Sequence, residues 1–249
     1  MKISIITVAF NAAATIKDTI ESVLSQVDVD VEYIIIDGGS TDETVKIVES
    51  FGDKVHHFIS EPDKGIYDGM NKGVAATTGN IVGILNADDI YADVHVLRDV
   101  LDKFAKEDIE GLYADLVYVD QNNTDKVVRT WISKKYEDGA FAKGWMPPHP
   151  TFFVYKEVYE KYGNYTLELK SAADYELMLR VIHKHKIKLG YLNRIIVKMR
   201  VGGESNVSLK NRIRANKEDR LAWKMNGLKP GNLTFIRKPL SKVGQFFKK

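Results

Sequence analysis

Short apolar runs alternate with helical periodicities along the first third of the chain. Nearly continuous apolar stretches predict four buried strands, over residues 2–9, 31–36, 55–59 and 81–85. Apolar side chains at helical spacing predict the helices between them, over residues 16–27, 41–48 and 66–76. A capping box of Ser40 and Glu43 opens the second helix, and Gly69 and Gly73 weaken the third. Strands alternating with helices indicate an α/β fold with a mainly parallel central sheet flanked by helices.

In the second half of the chain, the predicted strands and helices no longer alternate regularly. Its pattern predicts a helix over 94–104, a hairpin of 111–119 with 126–131, a strand over 151–155, a helix over 174–185, strands over 188–191 and 195–201, and helices over 210–225 and 234–247. No internal repeat or low-complexity linker interrupts this pattern. We therefore expect one domain over residues 1–205, divided near residue 92, and a helical extension over 206–249.

Polar side chains follow three of the predicted strands. Phe10 and Asn11, then Asp37, then 86–89 each come directly after an apolar run. The carboxyl ends of parallel strands are where such sheets bind ligands, so we expect these segments to converge on one edge. Asp88 and Asp89 taken alone fit a solvated loop, but the convergence favours a site. Adjacent carboxylates near a core repel unless a cation lies between them, and oxygen ligands suit Mg²⁺ or Mn²⁺ with a phosphorylated substrate.

Charge divides the chain unevenly. From residue 205 onward there are twelve Lys and Arg against two Asp and Glu, although the whole chain carries a net charge of only +2. An acidic body with a basic tail favours an anionic partner for the tail, either lipid or nucleic acid, and a solvated basic face explains it equally well. The chain has no cysteine, which excludes disulfides and cysteine zinc sites and fits a reducing cytoplasm.

Six segments, taken in order, give the chain a resemblance to a known family. They read ISIITVAFNAAATIKDTIESVLSQ, IIIDGGSTDETVKIV, EPDKGIYDGMNKGVAATTGNIVGILNADDIY, PHPTFFVYKEVYEKYGNY, AADYELMLR and GGES. The chain resembles the family 2 glycosyltransferases of the GT-A fold over residues 2–205, and most of all the bacterial members that build surface polysaccharides. The resemblance implies a nucleotide-binding half over residues 1–92 and an acceptor half over 93–205.

The resemblance also implies a donor site. Asn86-Ala87-Asp88 occupies the Asp-x-Asp position of the family, so Asp88 would bind a divalent cation, Mn²⁺ or Mg²⁺, that bridges the two phosphates of the donor. Asp89 is a second candidate ligand. Asn86 departs from the family pattern, removes one charge, and would take the ribose side. The other donor-binding residues implied are Phe10 and Asp37 at the base, with Phe10 alternatively a core aromatic, and Lys64 and Asn71.

The resemblance also implies a catalytic base in the segment AADYEL, residues 172–177. Asp174 matches the base of the family, and a carboxylate within reach of an acceptor hydroxyl can take its proton as attack proceeds. Its alternative role is a helix N-cap, and Glu176 is the reserve base. On the acceptor side we place His149, with a structural role as its alternative, and Trp145. Trp145 or Tyr175 would stack on a sugar, and the alternative for both is an ordinary core position.

These assignments predict an inverting, metal-dependent transferase of the hexosyl type. The donor would be linked to UDP or GDP, and the acceptor would be a glycan or a lipid-linked glycan. The basic segment 206–249 would attach the protein peripherally to an anionic membrane on the cytoplasmic side. We expect no nucleic-acid partner, because no binding motif accompanies the tail. The alternatives are a non-catalytic, degenerate membrane-binding relative and a nucleotidyltransferase of related fold. A dehydrogenase is disfavoured because no G-x-G-x-x-G follows the first strand.

Overall fold

A computed structural model describes residues 1–202, 209–231 and 234–235 of the chain. The strands within these ranges are β1 Ile3–Ala9, β2 Val31–Asp37, β3 His57–Ser60, β4 Ile81–Ile84, β5 Asp89–Tyr91, β6 Gly111–Val119, β7 Val127–Trp131, β8 Phe153–Tyr155 and β9 Leu189–Arg200. The helices are α1 Ile16–Leu24, α2 Thr44–Glu49, α3 Ile66–Ala76, α4 Val96–Lys106, α5 Lys156–Tyr162, α6 Ala173–Met178, continued by a π-helical turn over Leu179–Lys184, and α7 Leu209–Met225.

One sheet joins all the strands in the order β3-β2-β1-β4-β8-β6-β9-β5, with β7 paired to β6. The first four strands along this order run parallel, as do β6 and β9. Antiparallel pairing occurs where β8 lies between β4 and β6, and at β5 and β7. The predicted α/β fold with a mostly parallel sheet and flanking helices is therefore confirmed.

Both faces of the sheet are covered, which explains the continuous apolar runs. In β1, Ile3 and Ile5 belong to the core that also contains the buried side chains of α1 and α4. Ile6 and Val8 belong to the core on the opposite face, with α3 and α6. A strand buried on both sides needs apolar residues at successive positions, and β1, β2 and β4 have them.

The glycines of α3 allow this helix to lie against β1. A Cβ atom on Gly69 would lie 2.6 Å from a methyl group of Val8, and one on Gly73 would lie 2.3 Å from a methyl group of Ile6. Each glycine costs about 1 kcal/mol of helix propensity relative to alanine, and close packing on the sheet offsets that cost. The helix nevertheless has the predicted bounds, residues 66–76.

Two local predictions are wrong. Ser40 does not cap a helix, because its hydroxyl donates to Asp37 and α2 begins only at Thr44. The strands predicted over 188–191 and 195–201 are a single strand, β9. Its pairing with β6 jumps from Leu192 to Ile195, so Asn193 and Arg194 form a bulge within the strand rather than a break.

Helix α7 packs onto the domain. Trp223 is 1% exposed, and its indole N–H donates to the Tyr175 hydroxyl of α6 at 2.8 Å. The Asn226 amide donates to Glu176 at 2.9 Å. The second half of α7, through Ala222 and Trp223, therefore shares a core with α6. The helix predicted over 234–247 lies outside the described residues beyond position 235.

Candidate functional site

The carboxyl ends of β1, β2, β3 and β4 lie at one edge of the sheet. Ala9 pairs with Asp37, and Asp37 pairs with Ser60. The parallel pairing of β1 with β4 brings the segment after Ile84 to the same edge. The convergence predicted from the strand ends is therefore present in the structure.

Asn86 and Asp89 are hydrogen-bonded to each other in the segment after β4. The Asn86 Nδ2 atom donates to Asp89 Oδ2 at 2.9 Å, and Asp89 has no exposed surface. Asn86 Oδ1 and Asp89 Oδ1 are both buried and have no partner among the described residues. Burial raises the pKa of Asp89 well above its usual range, and the neighbouring Asp88 adds to the effect. Burial also raises the pKa of Asp88, while the charge of Arg200 acts in the opposite direction.

Arg200, which sequence reasoning missed, supports this segment from the end of β9. Its guanidinium donates to the main-chain carbonyl of Asp88 at 2.8 Å, to that of Gln121 at 3.2 Å, and to the carboxylate of Asp18. The side chain is 5% exposed as part of this network. An arginine at the end of a partly apolar strand, two residues before the pair Gly202-Gly203, was the available signal.

The oxygen atoms at this edge fit a hard divalent cation. The Asp88 carboxylate and the unpartnered Asn86 Oδ1 are ligands of the type that Mg²⁺ and Mn²⁺ prefer, and such ions complete their shells with water and substrate phosphates. The described residues hold no cluster of three or more His, Asp or Glu side chains that would bind a metal alone. The donor set therefore suits a cation that arrives with a diphosphate.

The predicted donor-side residues occupy different environments. Phe10 is 64% exposed at the end of β1, so the alternative of an ordinary core aromatic is wrong. Asp37 is fully buried, and it accepts hydrogen bonds from Gly39, Ser40 and Ser60. Its carboxylate therefore organises the loop that follows β2.

Lys64 and Asn71 lie on either side of the beginning of α3. Lys64 is exposed in the loop before the helix. The Asn71 amide exchanges two hydrogen bonds of 2.9 Å with the main chain of Tyr165. Asn71 therefore joins α3 to the acceptor half, and its side chain is occupied by that contact.

Asp174, the candidate base, lies in the first turn of α6. Residue 172 is the N-cap of this helix, so the alternative role of Asp174 as a cap is wrong. The hydroxyl of Tyr67 donates to Asp174 Oδ1 at 3.1 Å. Tyr67 belongs to the first turn of α3, which follows β3 at the carboxyl edge. Asp174 therefore lies at the same edge as the segment after β4.

Tyr67 was not predicted, and its surroundings define a small cluster. Burial raises the pKa of Tyr67 well above its usual range, and the charge of Asp174 adds to this, so the hydroxyl stays protonated and donates. The ring stacks on Tyr165 at 5.9 Å between centroids. The Tyr165 hydroxyl lies 3.1 Å from His149 Nε2. Burial lowers the pKa of His149, and Asp174 opposes that shift. The predicted acceptor-side histidine thus lies in the cluster of the candidate base.

Three other candidates have structural partners instead. Both carboxylate oxygens of Glu176 bind Arg180, Oε1 also accepts from Asn226, and the side chain is 4% exposed, so it is not a reserve base. Trp145 packs among Tyr113, Tyr136 and Phe141, and its indole N–H donates to the Ser133 carbonyl at 2.7 Å. Tyr175 is buried against Trp223. Glu176 and Tyr175 are therefore buried away from a sugar, whereas Trp145 is half-buried and its acceptor-side role stays a prediction.

A mostly parallel α/β sheet with oxygen ligands and a separate carboxylate at its carboxyl edge is the architecture of the GT-A nucleotide-sugar transferases. The profile of glycosyl transferase family 2 matches residues 4–163, and the chain belongs to this family. It is 35% identical over 127 residues to an uncharacterized glycosyltransferase of Nostoc sp. (strain PCC 7120), a match that covers 49% of this chain and 39% of that protein.

Solved structures show the same fold at low identity. Residues 1–349 of S. aureus TarS, in complex with UDP-GlcNAc, align with TM-score 0.71 and 17% identity over 91% of this chain and 65% of that one. A mannosyltransferase from Pyrobaculum calidifontis, in complex with GDP-Man and Mn²⁺, aligns with TM-score 0.66 and 17% identity over 98% of this chain and 69% of that one. The chain thus spans well under half of the Nostoc relative and about two thirds of these two structures.

Proposed function

We propose that this chain transfers a sugar from a nucleoside diphosphate donor to a hydroxyl group of a glycan or lipid-linked acceptor, with inversion and with a divalent cation. The observation that carries the proposal is the placement of the Asn86–Asp88 segment and Asp174 at one edge of the sheet. The Asn86–Asp88 segment suits the diphosphate, and Asp174 suits the acceptor hydroxyl. Membership of family 2 supports this function over that of a nucleotidyltransferase.

The donor half would bind the nucleotide sugar through residues 86–88. Asp88 would hold Mn²⁺ or Mg²⁺, with Asn86 Oδ1 as a second oxygen in place of the ribose contact expected from the sequence. The cation would stabilise charge on the departing nucleoside diphosphate. Exposed Phe10 would flank the base or ribose, and Lys64 would neutralise phosphate. Asp37 is buried and already accepts four hydrogen bonds, so it would act at the base through the loop that it organises. Donors linked to UDP or GDP are the first choices, since the TarS and Pyrobaculum structures contain UDP-GlcNAc and GDP-Man.

The acceptor half would supply the base. Tyr67 donates to Asp174 Oδ1, which leaves Oδ2 for the acceptor hydroxyl. As the acceptor oxygen bonds to the anomeric carbon, the bond from that carbon to the phosphate oxygen breaks, and the hydroxyl proton passes to Asp174. A single displacement of this kind inverts the anomeric centre. His149 would line the acceptor side, because it lies in the cluster around Asp174.

The proposal of a lipid-linked acceptor rests on the positive charge at the exposed surface of α7. Lys217, Arg220 and Lys224 of α7 are exposed, whereas Trp223 of the same helix is buried. A cationic face of this kind suits an anionic bilayer, where a lipid-linked acceptor for surface polysaccharide would be found. We place the protein on the cytoplasmic side, attached peripherally. Among the described helices, none is both long and apolar enough to cross a bilayer.

Calorimetric titration of UDP and GDP, each with and without Mn²⁺, tests the donor site. We expect one nucleotide to bind in a Mn²⁺-dependent way, and Asp88→Ala to lose at least about tenfold in affinity. Asp108→Ala is the matched control, because that carboxylate is 88% exposed on the surface. A folded protein that binds neither nucleotide with Mn²⁺ would contradict the proposal and favour the non-catalytic alternative.

A further inference from the structure

The segment 162–165, at the end of α5, is tied to both α3 and the continuation of α6. From α3, the Asn71 side chain accepts from the Tyr165 N–H and donates to the Tyr165 carbonyl, both at 2.9 Å. From the π-helical turn after α6, Arg180 donates to the main-chain carbonyls of three successive residues, 162, 163 and 164. All four residues of the segment are therefore held through their main chain.

The same two helices hold the candidate base. Tyr67, four residues before Asn71 in α3, donates to Asp174 in the first turn of α6. Residues four apart in a helix lie on one face, so Tyr67 and Asn71 both face the acceptor half. The ring of Tyr165 stacks on that of Tyr67, with 18° between the ring planes. The segment thus holds an aromatic ring against the tyrosine that donates to the base.

The segment is fitted closely around Arg180. The Glu176 carboxylate accepts from this guanidinium at 3.1 and 2.9 Å, which fixes its position. Gly163 has a φ of +90°, a backbone conformation that glycine adopts without a steric penalty. A Cβ atom on Gly163 would lie 2.9 Å from Arg180 Nη1. The conformation of the segment therefore depends on this arginine and on this glycine.

We propose that Asn71 and Arg180 form a clamp on this segment that positions the candidate base. By fixing Tyr165 against Tyr67, the clamp keeps the Tyr67 hydroxyl on Asp174 Oδ1. Asn71 and Arg180 are then positioning residues, since they act on the base only through other side chains. The inference rests on the proposed function, and it assigns Asn71 to the acceptor side instead of the donor side expected from the sequence.

Replacing Asn71 with Leu removes both hydrogen bonds at nearly constant side-chain volume. We expect the kcat for release of nucleoside diphosphate from UDP-GlcNAc or GDP-Man, whichever nucleotide binds, to fall about tenfold, which is part of the about 10²–10⁴-fold that general-base catalysis contributes. The affinity for that nucleotide with Mn²⁺, measured by calorimetry, should stay unchanged. A loss of affinity as large as that of Asp88→Ala would place Asn71 in the donor site and would overturn the inference.

Gln26→Leu is the matched control, because Gln26 makes the same kind of bridge between the end of α1 and the beginning of α4. Its side chain accepts from the Leu97 N–H at 2.9 Å and donates to the Asp93 carbonyl at 2.7 Å. Helices α1 and α4 pack on the opposite face of the sheet from α6. We expect Gln26→Leu to lower the thermal unfolding midpoint as Asn71→Leu does, but to retain kcat. Equal falls of kcat in the two variants would mean a loss of general stability and would reject the clamp.

The route through Tyr67 is tested by combining variants. In a Tyr67→Phe background, Asn71→Leu should cause no further fall in kcat, because the hydroxyl that the clamp positions is already absent. An additional fall as large as that in the wild-type background would show that Asn71 does not act through Tyr67, and the inference would be wrong.

Hydrogen exchange tests the clamp without any substrate. Asn71→Leu should speed exchange of the Tyr165 amide, measured by NMR, whereas Gln26→Leu should speed exchange of the Leu97 amide instead. Unchanged exchange at Tyr165 in Asn71→Leu would reject the clamp regardless of nucleotide binding. Absence of Mn²⁺-dependent nucleotide binding by the wild type would reject the proposed function, so the two failures are distinguishable.

Discussion

Tyr67 shows what a single residue adds to the site and why the sequence alone did not reveal it. The hydrogen bond from its hydroxyl to Asp174 joins residues 107 positions apart. Asp88 and Asp174 could be predicted because each lies in a segment that resembles the family. A tyrosine in a helix with apolar periodicity is usually a core residue, and only the packing of α3 against α6 brings its hydroxyl to a carboxylate.

Replacing Tyr67 with Phe removes that hydroxyl and keeps the buried ring. We expect the kcat for release of nucleoside diphosphate from UDP-GlcNAc or GDP-Man, whichever nucleotide binds, to fall about tenfold or more, since general-base catalysis contributes about 10²–10⁴-fold. The KM for the donor should change little, because Asp174 belongs to the acceptor side.

Tyr33→Phe is the matched control for this experiment. Its buried hydroxyl pairs with Thr7 at 3.0 Å inside the sheet, and its loss should leave kcat unchanged. In an Asp174→Asn background, Tyr67→Phe should have no further effect on kcat. An equal additional fall in that background would show that Tyr67 acts independently of Asp174.

Whole elements were more predictable than the contacts between them. The pattern placed α3, β1, β4 and β6 within two residues of their observed ends, because burial on both faces leaves a strong periodic signal. The division of β9 into two strands failed because polar residues in a bulge look like a turn in sequence. The acceptor side was least predictable, since Trp145 and Glu176 are polar or aromatic residues whose partners come from distant elements.

Strand β9 carries two arginines that allow a controlled comparison. Arg200 holds the Asp88 carbonyl, whereas Arg194 pairs with Asp93 and Asp99 away from that contact. Arg200→Gln should weaken Mn²⁺-dependent nucleotide binding about tenfold, the scale measured for supports of metal ligands. Arg194→Gln should change thermal stability without that loss of affinity. Equal losses of affinity in the two variants would mean that β9 acts only through general stability.

The distribution of charge over the whole molecule could be predicted only in part. The sequence located the excess of positive charge after residue 205, but it did not show that α7 packs onto the domain through Trp223. Because the face of α7 that carries Trp223 packs against the domain, the opposite face is exposed to solvent. Lys217 and Lys224 are both exposed. Helix α7 shares a core with α3 and α6, whereas α1 packs on the other face of the sheet.

That arrangement predicts that the molecule binds an anionic bilayer through one side. Lys217→Glu/Lys224→Glu should reduce binding to phosphatidylglycerol-containing vesicles at least about tenfold, because each lysine near such a surface contributes about 1 kcal/mol. Lys17→Glu/Lys46→Glu makes the same change in net charge on α1 and α2, where the side chains are 65% and 75% exposed, and should retain binding. Removal of residues 236–249, which contain five Lys and Arg, should also weaken binding. If flotation assays show equal binding by all four proteins, or equal losses in the two lysine pairs, attachment through this face is wrong.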